Sequence, residues 1–460
     1  MKHLKMQAKE LKWTSIIIEV ALAVLFFALF FVFPVDESRY MRGDGEGYLT
    51  IAMNVAFSGA YSLSTGRPFE PTTYREPAYP FFLSLVLRFF GTNPVYLMLS
   101  QMFLLYLSAI LFGNAASIVI GPTIGRLLRF FVLFYPTLID YCRFALSEIL
   151  ALFLLSLFVF SFIKILKKGH FLWVILGGFS FAALMLCKAM MFYFTPVVLF
   201  LFSVLFYKQR KLAVRVFFMC LLACLFILPW AFRVHSLSGK WSVTSGREGI
   251  NLYARAYKLN YSGFDILKDL IFNFSENLGR RIFPSATDGL GRSTFTYRVQ
   301  EQIEPYVLSL RAEGLSEEQV NNRLVEDSTR LILSRPFKYL CMSLLELEKM
   351  LAFNHFPTQS SNIGRDRNPQ DAGLLRFLRY IYRLTGYFMF FAALLGFWLV
   401  RKNWLSFFPL ISVLLFVNLF YPLLFAEGRF NVPVLPVIIL FDLAFIKLCL
   451  YGYRHEGNRA

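Results

Sequence analysis

Apolar runs of roughly 20 residues recur along this chain, each long enough to cross a hydrocarbon core of about 30 Å as a helix. Inside lipid such runs must be helical, because a helix satisfies its own backbone polar groups. The pattern predicts spans at 14–33, 95–117, 124–139 and 148–165, then two forming a hairpin that ends in Lys208, Arg210, Lys211 and Arg215. Four more follow, at 213–232, 379–400, 404–424 and 432–450. The expected fold is therefore an all-α polytopic membrane protein with about ten transmembrane helices. In the polar stretch 34–77, Tyr48, Ile51, Ala52, Val55 and Ala56 fall at helical spacing. That spacing predicts a short amphipathic helix lying on the membrane in the first outer loop. The segment 79–90 is apolar but short and is interrupted by Arg88, so it reads as re-entrant or interfacial. Residues 337–353 are amphipathic and read as a helix on the membrane surface.

Three regions result: 1–232, an N-terminal transmembrane module of seven helices with the outer loop 34–77; 233–376, a modest extracytoplasmic region with interfacial helices; and 377–460, the last transmembrane helices. The first run lacks a small-residue cleavage site and is read as a retained helix rather than a signal peptide.

Composition sharpens this reading. Of the 460 residues 57% are hydrophobic and 17% charged, with 54 phenylalanines, whereas a soluble domain carries about 25% charged residues. The net charge of +18 points to no nucleic acid, because the Lys and Arg cluster in short loops between apolar runs. Such loops stay in the cytoplasm. Lys2, Lys5, Lys9 and Lys12 place the N-terminal tail there, and Arg126, Arg129, Lys164, Lys167, Arg401 and Lys402 mark further inner turns. The six cysteines, Cys142, Cys187, Cys220, Cys224, Cys341 and Cys449, form no CxxC pair, and neither a zinc site nor a disulfide framework is expected. No internal repeat and no Walker-type phosphate loop is visible, which counts against an ATP-driven pump.

The candidate chemistry lies in the outer loops. The first contains Asp36, Glu37, Asp44 and Glu46, with Gly43 and Gly45 flanking Asp44. Glycine lets a backbone turn sharply and approach a ligand, while an Asp just before a helix is also an ordinary N-cap. Glu148 opens an apolar run. A carboxylate there is either functional, as intramembrane acids usually are, or a charge favoured by the helix dipole. Arg75, Arg233 and Arg429 fall near outer helix ends, where arginine either anchors at the interface or grips phosphate through two parallel hydrogen bonds. Lys188 either contacts phosphate or snorkels, and His235 beside Arg233 is equally open.

The order of these residues resembles the GT-C membrane glycosyltransferases. More narrowly, it resembles the bacterial branch related to protein O-mannosyltransferases and lipid A aminoarabinose transferases (glycosyltransferase family 39-like). Asp44, Tyr48, Gly59 and the element Arg75-Glu76-Pro77-Ala78-Tyr79-Pro80 carry the resemblance, followed by Pro136 and Ser147-Glu148. Pro229-Trp230-Ala231-Phe232-Arg233 matches a further element except that Val234 stands where the family has Asn. Gly249-Ile250-Asn251-Leu252 and Arg429-Phe430-Asn431-Val432-Pro433 complete it.

The resemblance implies an inverting transferase in the inner membrane of a bacterium, its active site facing the periplasm or cell exterior. It would move a sugar from a polyprenyl-phosphate donor to a lipid, glycan or protein acceptor. Asp44 would be the base that takes the acceptor's proton, with Glu46 and then Asp36-Glu37 as alternatives, and Glu148 a second acid. Arg75, Tyr79, Lys188, Arg233 and Arg429 would bind phosphate and sugar. A divalent cation, Mg or Mn, would be held by Asp44 and Glu148 if one is used. A lipid or glycan flippase without transferase chemistry is the competing reading, but it favours paired repeats. An O-antigen ligase or polymerase would lack the early Asp-to-Tyr-Pro pattern.

Overall fold

The computed structural model describes residues 17, 19–31, 40, 44–167, 169–244, 248–274, 276–286, 299–351, 373–424 and 426–451. The basic N-terminal tail and the acids Asp36 and Glu37 lie outside the described residues. The described residues are almost wholly helical. The first half comprises α1 (Glu19–Phe31), α2 (Asp44–Ser58), α3 (Ala78–Phe90), α4 (Pro94–Val119), α5 (Pro122–Leu133), α6 (Pro136–Tyr141), α7 (Glu148–Leu166), α8 (Leu172–Cys187), α9 (Thr195–Lys208) and α10 (Arg210–Ser238). An outer group follows: α11 (Glu248–Tyr257), α12 (Gly263–Phe274), α13 (Glu276–Ile282), α14 (Val299–Ala312), α15 (Glu317–Ser334) and α16 (Pro336–Leu351). The chain ends with α17 (Gly373–Val400), α18 (Trp404–Leu424) and α19 (Leu435–Tyr451).

Six helical stretches among the described residues are long and apolar enough to cross a membrane, and Glu19–Phe31, Ala78–Phe90 and Leu172–Cys187 are shorter apolar helices. One of the six, Ile381–Leu424, runs for 44 residues. That is about 66 Å at 1.5 Å per residue, over twice a hydrocarbon core, and a 3-10 turn at Arg401–Asn403 divides it. The chain is thus a polytopic integral membrane protein.

The helix expected at 379–400 begins earlier, at Gly373, and two further boundaries differ from the sequence expectation at a proline and a glycine. The single helix expected at 124–139 is two, because Pro136 has no N–H to continue the first and instead opens the second. The helix expected to stop at 232 runs through Pro229 to Ser238, ending at Gly239 with φ +69°, a left-handed cap that suits glycine.

Close helix contacts depend on small residues, as is usual where lipid supplies no hydrophobic drive. A Cβ on Gly125 of α5 would lie 1.9 Å from Ser117 Oγ and 2.4 Å from the Gly113 carbonyl of α4. Gly178 meets Leu222 and the Met219 carbonyl of α10, and Gly396 of α17 lies against the Phe441 carbonyl of α19. Helix α7 is the most buried of the six long apolar stretches.

Helix α2 buries Tyr48, Leu49, Ile51, Ala52 and Ala56. Arg88, the charge that interrupts α3, donates to the Ala56 carbonyl at 2.8 Å and so closes the end of α2. Helix α16 buries Tyr339, Met342, Ser343, Glu346, Met350 and Leu351. From that face Tyr339 hydrogen-bonds the Leu423 carbonyl, and the Met350 carbonyl accepts from Asn431 Nδ2 at 2.7 Å.

Candidate active site

The site is built from helix ends that share one end of the bundle. Helices α2 and α7 begin there with Asp44 and Glu148. Helix α8 ends there at Lys188. The 3-10 segment Gly428–Val434, which leads into α19, supplies Arg429.

These side chains form one ionic network. Arg75 Nη1 donates to Asp44 Oδ1 at 2.7 Å, and Arg429 Nη1 lies 2.8 Å from Asp44 Oδ2. Lys188 Nζ donates to Glu148 Oε1 at 3.0 Å, and Arg429 Nε lies 4.0 Å from that same oxygen. Arg429 is also ion-paired with Glu427. Glu148 is 1% exposed, and its Oε2 is buried without a hydrogen-bond partner.

Close approach is built into the local sequence. A Cβ on Gly47 would lie 3.3 Å from the Arg75 guanidinium, and one on Gly45 would lie 3.2 Å from the Ala145 carbonyl. The Arg75 guanidinium also lies over the Tyr48 ring at 4.9 Å. Burial works against the Arg75 charge, but Asp44 outweighs it and raises its pKa above the ordinary guanidinium value. Burial pushes the Tyr48 phenol up to about 12, with Glu76 adding to the effect. A neutral phenol beside the ion pairs is a hydrogen-bond donor at any physiological pH.

A second layer holds this network in place. Tyr79 packs edge-on against Tyr48 and donates to Gln101 Oε1 at 3.3 Å. Gln101 in turn donates to the Cys142 and Phe144 carbonyls at 3.0 and 2.7 Å, fixing the segment that leads into Glu148. Asn418 and Asn431 exchange side-chain hydrogen bonds at 2.9 and 2.8 Å, which pins the segment carrying Arg429 to α18.

Of the residues singled out in the sequence, Asp44, Glu148, Arg75, Lys188 and Arg429 are brought together, and Tyr79 stands one ring away. Arg233 is not in the network. It donates to the Thr72 and Tyr61 carbonyls at 3.0 and 3.4 Å and lies over the Trp230 and Tyr61 rings. Its tie to the site is indirect, through the Tyr61 hydroxyl, which donates to the Arg75 carbonyl at 2.9 Å. Glu46 is exposed. His235 stacks on Trp241 at 4.3 Å. Glu427, Gln101 and Glu76 were not singled out as site residues, though Gln101 stands out as a polar side chain in an otherwise apolar helix, a pattern that flags function or positioning.

A Mg or Mn ion shared by Asp44 and Glu148 does not fit these residues, because the Arg429 guanidinium already lies between the two carboxylates. With Arg429 in place, no three His, Cys, Asp or Glu side chains among the described residues are grouped to hold a metal ion.

No protein-family model matches the chain, and no curated protein matches it. Among solved structures it is similar to ArnT from Cupriavidus metallidurans. The apo form is 13% identical, with 95% of this chain and 78% of that one covered and a TM-score of 0.42. The form bound to undecaprenyl phosphate has the same identity and coverage, with a TM-score of 0.41. It is also similar to the archaeal oligosaccharyltransferase AglB from Archaeoglobus fulgidus, in complex with an inhibitory peptide and a dolichol-phosphate. There the identity is 16%, the coverage 90% of this chain and 48% of that one, and the TM-score 0.45. The chain thus spans about half the length of AglB.

Proposed function

We propose that this protein is an inverting glycosyltransferase that moves a sugar from a polyprenyl-phosphate donor to an acceptor on the membrane face opposite its basic turns. The observation that carries this reading is the single ionic network at one end of the bundle. There one partly buried carboxylate, Asp44, pairs with Arg75 and Arg429, and Lys188 joins through Glu148, which lies beside the same Arg429.

In the reaction, the acceptor oxygen attacks the anomeric carbon while its proton passes to a carboxylate within hydrogen-bond reach. The bond from that carbon to the phosphate oxygen breaks, and polyprenyl phosphate leaves with the electron pair. Asp44 is the proton acceptor. Arg75, Arg429 and Lys188 stabilise the charge that grows on the phosphate. Glu148, too buried to meet an acceptor freely, orients Lys188 and Arg429. Arg233 secures the loop behind Arg75 instead of touching phosphate. The transferred sugar is hexosyl or pentosyl, the acceptor is a lipid, glycan or protein, and residues 233–376 shape the choice of acceptor. The site opens on the outer face of a bacterial inner membrane.

The test is reconstitution in liposomes carrying radiolabelled polyprenyl-phosphate sugars, with envelope extract as acceptor source. The reading expects label to leave the lipid and free polyprenyl phosphate to accumulate. Donor lipid that crosses the bilayer intact and is never consumed would instead support the flippase.

A further inference from the structure

Three carboxylates turn toward one guanidinium. Asp44 Oδ2 lies 2.8 Å from Arg429 Nη1, Glu148 Oε1 lies 4.0 Å from Arg429 Nε, and Glu427 is paired with that same Nε. Converging carboxylates next to a phosphate-handling site would ordinarily hold a hard divalent ion, which takes oxygen ligands. Here the place is taken by a side chain. The paired charges match one for one, Arg75, Lys188 and Arg429 against Asp44, Glu148 and Glu427, with Glu76 a further carboxylate close to Tyr48. A divalent ion added to that set would meet a fixed guanidinium at short range. Glu148 supplies an independent sign that the arrangement favours a cation: its Oε2 is buried beside the site with no hydrogen-bond partner, a costly state for a charged group unless cations stand close.

We propose that Arg429 is the resident cation of this site, filling the space in which a Mg2+ or Mn2+ ion would otherwise bridge Asp44 and Glu148, and that removing its charge turns the three carboxylates into a divalent-metal site. The catalytic meaning of this assignment rests on the transferase reading. The binding claim rests on the geometry alone. Glu427 then has a role of its own as a positioning residue, since it holds the edge of the guanidinium that faces Glu148.

The experiment titrates Mn2+ into the purified full chain in detergent and follows the loss of the free-ion electron paramagnetic resonance signal. Wild type is expected to bind no Mn2+ at this site. R429Q, which removes one of the three cations and leaves Arg75 on Asp44 and Lys188 on Glu148, is expected to bind one ion per chain that wild type does not bind. The double variant R429Q/D44N is expected to lose that ion. Two results would overturn the proposal: wild-type binding that D44N abolishes, or R429Q that elutes as a folded monodisperse protein yet binds no better than wild type. Should R429Q fail to fold, R429A carries the same comparison, and the wild-type arm decides regardless. No arm needs a sugar donor, so failure here leaves the transferase reading standing. A wild-type protein inactive on every donor would leave the cation assignment standing.

Discussion

The Glu148–Lys188 pair offers the sharpest energetic test of how the site is held together. Glu148 is 1% exposed and Lys188 15%, with 3.0 Å between Nζ and Oε1. At an effective dielectric of about 20, two unit charges at that distance attract by about 5–6 kcal/mol. Lys188→Met removes the ammonium and leaves Glu148 with only Arg429 Nε, 4.0 Å away. The other oxygen has no partner to fall back on. Breaking a buried pair from one side costs about 3–5 kcal/mol, and Lys188→Met is expected at the upper end of that range. Glu148→Gln leaves the partly exposed ammonium behind, which water reaches more easily, and is expected to cost less, about 2–3 kcal/mol. In the double variant neither charge is stranded, so the loss should fall short of the sum by about 1.5–3 kcal/mol. The assay is the unfolding midpoint in mixed micelles for wild type, both singles and the double. Single losses that add to within about 0.5 kcal/mol would refute the pairing.

Other outcomes follow from the same geometry. Burial pushes the Glu346 carboxyl up, but Lys258, Lys349 and Arg255 outweigh it and hold it well below the usual carboxylate range. A lowered folded pKa gives stability that is full above the unfolded value of about 4.3 and is lost as pH falls toward the folded value. The melting-temperature gap between wild type and Glu346→Gln should therefore be widest near neutral pH and narrow below about pH 4; a constant gap would exclude the linkage. Gln101→Leu strands the Cys142 carbonyl and leaves the Phe144 carbonyl with only the Leu146 N–H, so a stability loss of about 1–3 kcal/mol in denaturant titrations is expected, with transfer falling alongside. Arg233→Gln should lower the melting temperature while leaving the donor KM nearly unchanged, whereas Arg75→Gln, at a charged contact worth about 1.5–3 kcal/mol, should raise that KM about tenfold or more.

Much of the architecture was legible because lipid enforces it. Apolar runs must be helices, and the outer acids and bases had to sit at helix ends, which is where Asp44, Glu148 and Lys188 stand. What could not be read was direction. Glu46 lies two residues from Asp44, and adjacency made it a natural alternative. Both are on α2, however, and positions i and i+2 of a helix do not share a face. Asp44 therefore turns into the network while Glu46 turns out. Arg233 misled for a related reason: an arginine at a helix end can satisfy itself on backbone carbonyls, and nothing in the local sequence showed that Thr72 and Tyr61 would be there to accept. Glu427 was visible beside Arg429, but its value lies in the side chain it grips, and that pairing exists only once Asp44 and Glu148 have been folded against Arg429. The break at Pro136 was knowable from the proline alone.

The central claim, that Asp44 takes the acceptor's proton, is tested most directly by turnover of Asp44→Asn against Glu46→Gln. Asn keeps the size of Asp but accepts from only one of Arg75 and Arg429 and turns its amide NH2 toward the other, so folding is checked first and turnover is compared per folded protein. The variant has no basic carboxylate, and loss of general-base help is typically worth about 10²–10⁴-fold. In sugar transfer from the polyprenyl-phosphate donor, normalised to folded protein, Asp44→Asn should fall by about that factor while Glu46→Gln stays close to wild type. Near-normal transfer by Asp44→Asn would contradict the account.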